Sequence, residues 1–549
     1  MLRVIPMGGL GEIGLNMMVI EYDRHMLVID AGLMFPEDYM PGIDMVIPDF
    51  SYLILNKEKV CAVVLTHGHE DHIGAMPFLL KEINVPVFGT NFTIELLKAK
   101  LSEYELPEEV SLNKVSAGDI SSIGPFKLEY IRVNHSIIDG VGLAIETPEG
   151  ILVHSGDFKI DHTPVDGYHT DLNRFSFYGG KNVLALFSDS TNVEREGYTL
   201  SESDVKETLE GFFRHSEGRI IIAVFSSNIA RIQQIINLAV QYGRKVALSG
   251  KSMKATVGLA ARQDLITIPE GVEITEKTIK NYPDNEIAVI TTGSQGEPMS
   301  SLTRMANGNH KDVVIKHGDT IILSSRFIPG NEKAITAIIN GLYRRGARVV
   351  YEKVSDIHSS GHAYQEELKL IINLVKPKYF IPVHGEFRHL VKHIELAEET
   401  CIPQENTILA ENGDTICFYD GNAWLDEKQH TGRLLVDGKG LGGVGDIVLR
   451  DRIKLSGDGV VIVLLVIDDQ SGEIIYGPDI ISRGFIFEDD RGTIIEEAKG
   501  QILEVLSEVE HLEHVEWSDI GSDIKRRLKR FFYKVIESGP LILPIIIPV

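Results

Sequence analysis

Short apolar runs, rich in β-branched residues and broken by glycine and aspartate, fill the first 200 positions of the chain. Residues 17–22, 26–29, 60–65, 85–88, 126–133, 141–146 and 151–154 predict strands. Tight turns at 22–25 and 147–150 pair neighbours antiparallel, and helical stretches at 73–83 and 94–101 predict sheets covered by helices. From 201 to 353 the pattern becomes an alternation of helix and strand. Helix 202–215, strand 219–225, helix 229–242 and strand 245–248 come first; strands 286–291 and 320–324, a helix near 332–343 and strand 348–352 follow. That alternation predicts a parallel, doubly wound sheet. Residues 436–446 hold five glycines without periodicity and read as a linker. Beyond lie a strand at 459–468, helices at 494–508 and 519–535, and the proline-interrupted tail PLILPIIIPV, which predicts an edge strand.

Composition narrows the class. At about 150 residues per domain, 549 residues suggest three or four domains, or two with large insertions, and 43% hydrophobic with 24% charged residues is the make-up of a soluble globular chain. With 54 basic and 79 acidic residues the formal charge is −25, so a polyanion would need a local positive site. Cys61, Cys401 and Cys417 form no disulfide framework and suit a reducing compartment. With no Arg/Lys-headed apolar segment and cleavage site in the first residues, a secretory signal is not expected, and the longest apolar stretch, 460–467, is far short of a bilayer span. A cytoplasmic protein without membrane contact is expected.

The strongest chemical signal is Thr66-His67-Gly68-His69-Glu70-Asp71-His72, directly after a strand. Imidazole and carboxylate together suit zinc, and one tetrahedral ion cannot use all four candidates and keep a position for water. His67 and His69 can serve one ion and Asp71 and His72 a second. His135, Asp157 and His384 stand in similar strand-end settings, and each metal reaches four protein ligands if Asp157 bridges.

HGHEDH, with His135 and Asp157 following, resembles the metallo-β-lactamase fold, an αββα sandwich with a two-metal site. Asp30, in VIDAG, matches that fold's first motif, in which an aspartate orients a ligating histidine from behind. The long insertion before His384 resembles a β-CASP domain, with Asp189 in FSDSTN, His362 in HSSGHA and His384 in PVHGE matching its motifs. Motifs GGLGEIG, SGDFK, FSSN, TGSQGE and SSRFIPGNE extend the resemblance to the ribonuclease J family over nearly the whole chain; Leu15 departs from it, where a polar or basic residue is expected.

The resemblance implies an α/β architecture: a metallo-β-lactamase sandwich from 1–200 and 354–432, a β-CASP domain at 201–353, a linker at 433–455 and a small α+β C-terminal domain at 456–549. It implies two zinc ions per subunit, with or without manganese or magnesium, and 5′-to-3′ exonucleolysis of single-stranded RNA with endonuclease activity. His362, Asp71 and Asp189 are the catalytic candidates. Ser226, Ser227, Asn228, His358, Ser359, Ser360, Gly361 and His362 are candidates for binding a 5′-phosphate, although a Ser-Ser-Asn strand–helix turn is by local sequence an N-cap. Self-association as a dimer or tetramer through the C-terminal domain is implied, as are other RNA-decay partners. Rival readings are a DNA-cutting β-CASP nuclease and a non-catalytic assembly subunit. Gly9–Gly14 spells a dinucleotide fingerprint but predicts no following helix. The run Lys525–Arg530 with Phe531-Phe532-Tyr533 reads either as an RNA-contacting helix or, preferably, as a core stripe with its charges in solvent.

Overall fold

The computed structural model describes residues 1–37, 39–297, 299–325, 331–351, 357–438, 440–441, 446–468, 473–485, 491–508 and 517–549. Part of the SSRFIPGNE motif, positions 326–330, lies outside them, as do 352 and much of the glycine-rich 436–446 stretch. Two compact units result: 1–34 with 47–433, and 35–46 with 434–549.

In the first unit two sheets share one apolar core. An eight-stranded sheet has the order Asn422–Asp426, Thr415–Tyr419, Leu2–Gly8, Met17–Tyr22, His25–Ile29, Val60–Val64, Val87–Thr90 and Leu112–Val115. A six-stranded sheet runs Tyr379–Val383, Val183–Asp189, Gly150–His154, Val141–Thr147, Phe126–Arg132 and Ile120–Ile123. Alternate residues of the first (Leu2, Val4, Leu27, Ile29, Ala62, Val64) meet Leu128, Tyr130, Leu143, Ile145 and Phe187 of the second, as the two-residue period of a strand requires. The opposite face of the six-stranded sheet, with Ile131, Ala144, Val153 and Leu186, is covered by helices Leu172–Gly179, Gln365–Val375 and Phe387–Glu399. Helix Asn91–Leu101 packs on the outer strands of the other sheet. The expected helix at 73–83 is two, Glu70–Ile73 and Met76–Glu82, with Gly74 between them and Pro77 tolerated in the first turn of the second.

Strand Val183–Asp189 pairs in parallel with Tyr379–Val383, so a large insertion leaves and re-enters between neighbouring strands. Its own six-stranded sheet is wholly parallel, in the order Glu273–Ile274, Lys245–Ser249, Ile287–Thr291, Ile220–Ala223, Thr320–Leu323 and Arg348–Val350. Ile220, Ile221, Ile222 and Ala223 are buried on both faces, each face packing against its own set of helices. The architecture is the αββα sandwich with a doubly wound insertion that the resemblance implies.

The second unit has a three-stranded sheet, Ile474–Arg483, Val460–Ile467 and Leu541–Pro548, with the proline-containing tail at its edge. Val461, Val463, Leu465 and Ile467 pack against Ile502 of helix Arg491–Ser507 and Ile520, Ile524, Leu528 and Phe532 of helix Trp517–Ile536. The segment 433–455 expected as a linker carries structure instead: strand Arg433–Asp437 and helix Asp446–Asp458. Glycine density concealed them, and Ile447, Val448, Ile453 and Leu455 stay exposed, leaving that helix without a clear apolar stripe.

Candidate active site

Strand Val60–Val64 runs parallel to His25–Ile29, so Asp30 and Thr66 leave the sheet at the same end. The Asp30 carboxylate accepts hydrogen bonds from the Thr66 backbone N–H and hydroxyl, both at 2.8 Å, and lies 2.7 Å from His72 Nδ1. Gly32 admits the turn bearing Asp71 and His72, because a Cβ there would stand 1.6 Å from the Asp71 carbonyl oxygen. Backbone bonds from Ala31 N to His72 O and Leu33 N to Glu70 O fasten that turn.

The seven expected ligands come together. Ligand atoms of His67, His69 and His135 all lie within 4.8 Å of one another, and so do those of Asp71, His72, Asp157 and His384. Asp157 Oδ2 stands between the groups, 3.7 Å from His67 Nε2, 3.8 Å from His135 Nε2 and 3.2 Å from His72 Nε2. The far nitrogens of three histidines are held: His67 by Thr66 Oγ1 at 3.0 Å, His72 by Asp30 and His135 by the Gly361 carbonyl at 2.7 Å. Such bonds fix ring orientation and tautomer. Gly361 must be glycine for this, since a Cβ would lie 2.7 Å from the His135 ring.

Burial and the neighbouring imidazoles hold His67 and His135 well below the usual histidine range, which keeps them neutral and able to ligate. Burial acts the same way on His72, but the carboxylates of Asp157, Asp71 and Asp30 outweigh it and hold His72 well above that range. His384 is likewise pushed up to about 10, burial being overcome chiefly by Asp157. Carboxylates thus dominate the field around these two imidazoles. His384 Nε2 is also buried without a hydrogen-bond partner. Two groups of nitrogen and oxygen donors, an excess of carboxylate and an orphaned imidazole nitrogen fit a metal centre.

His362 Nδ1 lies 2.8 Å from Asp189 Oδ2. Burial lowers the His362 pKa, but Asp189 more than compensates and the net shift is upward. The pairing of Asp189 with Val383 in the sheet brings Asp189 beside His384, 3.8 Å between side-chain atoms.

The expected phosphate-binding residues divide. Asn228 Oδ1 accepts from Arg231 N at 3.0 Å, capping helix Ile229–Gln241. Ser359 Oγ is buried, accepting from Lys159 Nζ at 2.8 Å and donating to Leu200 O. Ser360 Oγ accepts from Asn192 Nδ2 at 2.6 Å and from His362 N. Ser226 and Ser227 are half-buried beside the capped turn. Lys159 belongs to a buried network with Asp161 at 3.0 Å and Glu202 at 3.6 Å, which Arg231 closes by bonding Glu202, Ser324 Oγ and the Ile357 carbonyl.

Three contributors escape sequence reasoning. Thr66 bridges Asp30 and His67, and Asn16 Nδ2 lies 3.1 Å from both the Asp71 carbonyl and His72 Nε2. His154, whose pKa burial depresses to about 4, lines the same cavity as Asp30, His72, Asp157, Asp189 and His384. Leu15, where the resemblance implies a polar or basic residue, is buried at φ 57°.

The chain matches four family models: the metallo-β-lactamase superfamily over 10–186, the ribonuclease J β-CASP domain over 217–342, the Zn-dependent metallo-hydrolase RNA specificity domain over 346–406 and the ribonuclease J C-terminal domain over 447–549. It is 43% identical to ribonuclease J2 of Bacillus subtilis (strain 168) over 547 residues, covering 100% of this chain and 98% of that one. The chain belongs to the ribonuclease J family. Ribonuclease J 1 of Streptococcus pyogenes is 40% identical, covering 99% of this chain and 97% of its own. A solved protein of unknown function from Enterococcus faecalis V583 shares the fold with a TM-score of 0.54 at 18% identity, over 76% of this chain and 99% of that one. As a family member the chain is a metal-dependent ribonuclease. Among the described residues no helix is long and apolar enough to cross a membrane.

Proposed function

We propose that the protein degrades single-stranded RNA from its 5′ end, preferring a 5′-monophosphate and retaining endonuclease ability, at a centre that takes two zinc ions per subunit. The observation that carries this reading is the pair of donor groups meeting at Asp157. His67, His69 and His135 would hold one ion and Asp71, His72 and His384 the other. Charge supports the reading: with Asp71 and Asp157 as the two carboxylate ligands, two divalent cations would leave the centre about +2, the local positive site that a phosphodiester requires. Zinc, when bound, brings the pKa of water towards neutrality and polarises a phosphoryl oxygen.

The chain's own residues do the rest. Asp30 keeps the Nδ1 proton of His72 on the far side of the ring, leaving Nε2 as a donor. Asp189 holds His362 by Nδ1, so that Nε2 can carry a proton to the leaving oxygen. The upward shift of His362 keeps that proton available near neutral pH. For a terminal phosphate we assign the pocket formed by Ser226, Ser227, Asn228 and residues 358–361. The hydroxyls of Ser226, Ser227 and Ser360 are its donors of choice, because Ser359 donates its proton to the Leu200 carbonyl whereas Ser360 Oγ only accepts within the protein. Self-association through the C-terminal unit draws support from its sheet, where Leu543, Ile545, Ile547 and Ile481 stay exposed. Work in cytoplasmic RNA maturation and decay, beside other RNA-decay proteins, completes the reading.

The test is degradation of one labelled single-stranded RNA bearing a 5′-monophosphate, 5′-triphosphate or 5′-hydroxyl, with matching DNA and metal analysis by mass spectrometry. Mononucleotides released chiefly from the monophosphate form by zinc-containing protein are expected. Internal cuts indifferent to the 5′ end would remove the pocket, and cleavage of DNA alone would remove the RNA assignment.

A further inference from the structure

Helix Trp517–Ile536 presents a basic ridge on a chain of formal charge −25. It holds six lysines and arginines against two aspartates. Ile520, Ile524, Leu528 and Phe532 form its buried stripe, so the core-stripe reading holds for those residues. It fails for Tyr533, which is 68% exposed. Arg526, Lys529, Arg530 and Tyr533 follow the i, i+3, i+4, i+7 spacing of a single helix face, and all four are exposed. Arg527 turns aside to Glu504 at 2.6 Å, and Arg526 meets Asp523 at 2.9 Å. Among the described residues Lys525, Lys529, Arg530 and Lys534 have no ion pair or hydrogen bond.

This arrangement costs the helix stability. Lys525 with Lys529, Arg526 with Arg530, and Arg530 with Lys534 are like-charge pairs at i, i+4, each unfavourable by a few tenths of a kcal/mol, about 0.2–0.5. A bound polyanion would reverse the sign of all three. Cations spaced about 6 Å apart along the helix axis can follow consecutive phosphates. An exposed tyrosine ring beside guanidinium and ammonium groups suits a nucleobase, because stacking accepts any base.

We infer that this ridge is an RNA-binding surface on the C-terminal unit, in which Lys525, Lys529, Arg530 and Lys534 grip phosphates and Tyr533 stacks a base. The inference rests on RNA being the substrate and adds a second, sequence-independent contact to it.

The test measures equilibrium binding of an unstructured RNA of about 40 nucleotides to the full-length protein, alongside steady-state kinetics on the same RNA. Lys529→Glu/Arg530→Glu should weaken binding at least about tenfold and raise KM similarly, with kcat held, and flatten the slope of log K against log salt by about 1.4, or about 0.7 per lost contact. Tyr533→Ala should weaken binding about fivefold or more, while Tyr533→Trp restores it. The exchange Lys529→Arg/Arg530→Lys should bind like the parent. Unchanged affinity and salt slope in the charge-reversed protein would overturn the inference. So would equal loss in the conservative exchange, which would mark a structural role. Binding is read independently of turnover, so an inactive parent protein would count against the ribonuclease reading alone.

Discussion

Two buried groups of charge lie side by side in the first unit, separated along the chain only by Phe158. Around Lys159 the account is closed: Lys159 and Arg231 face Asp161 and Glu202, and each charge has a protein partner within 3.6 Å. Around Asp157 the account is open, because the carboxylates outnumber the fixed cations and a histidine nitrogen is left unpaired. Both groups bear the desolvation cost of burial. Only the closed one is complete without a ligand, and that difference separates a structural brace from a binding centre more sharply than burial or residue type does.

The contrast can be broken by substitution. Asp71→Ala removes a carboxylate from the open group, and kcat should fall on the order of 1000-fold or more while RNA binding is largely kept, as read by single-turnover cleavage and anisotropy. Arg231→Ala opens the closed group by stranding Glu202, and should cost about 3–5 kcal/mol in denaturant unfolding while the metal content of the folded fraction is unchanged. Loss of metal without loss of stability would exchange the two roles. Asp30→Ala leaves all seven candidate ligands in place and should weaken metal affinity about 10–100-fold in a competition titration.

The smallest effect is on pH. Burial raises the Glu202 pKa, but Arg231 and Lys159 overcome it and the net shift is downward. A carboxylate with a depressed folded pKa stabilises the protein above its unfolded value and loses that contribution as pH falls through the folded one. Stability should therefore fall less steeply on acidification in Glu202→Gln than in the parent, although the variant starts lower at neutral pH. Parallel acid limbs in chemical unfolding would show that the network does not hold Glu202 ionised.

The open group was largely legible in the sequence, because HGHEDH packs four donors into six residues and a strand end fixes their direction. Asp189 and His362 were legible only through resemblance to a family, and His384 only as a strand-end histidine, since the pairing of Val183–Asp189 with Tyr379–Val383 is what brings Asp189 and His384 to Asp157. The closed group left no local trace: Lys159 reads as a solvated lysine and Arg231 as one residue of an amphipathic helix, until the fold joins them through Glu202. Thr66 and Asn16 were missed for a related reason, as their contribution is the direction of a hydrogen bond and not a ligand type. Glycine-rich sequence around 436–446 misled in the other direction, because it masks the short strand and the helix on either side.

The long detour between Asp157 and His384, 227 residues, also orders events during synthesis. Translation delivers His67, His69, His135 and Asp157 first, and strand Val183–Asp189 must wait for the insertion before Tyr379–Val383 can join it. Until then the nascent chain lacks His362 and His384, so Asp189 has no imidazole partner and the donor group around Asp157 is incomplete. Assembly of the candidate site therefore waits until the insertion has been made, however early its first donors are synthesised.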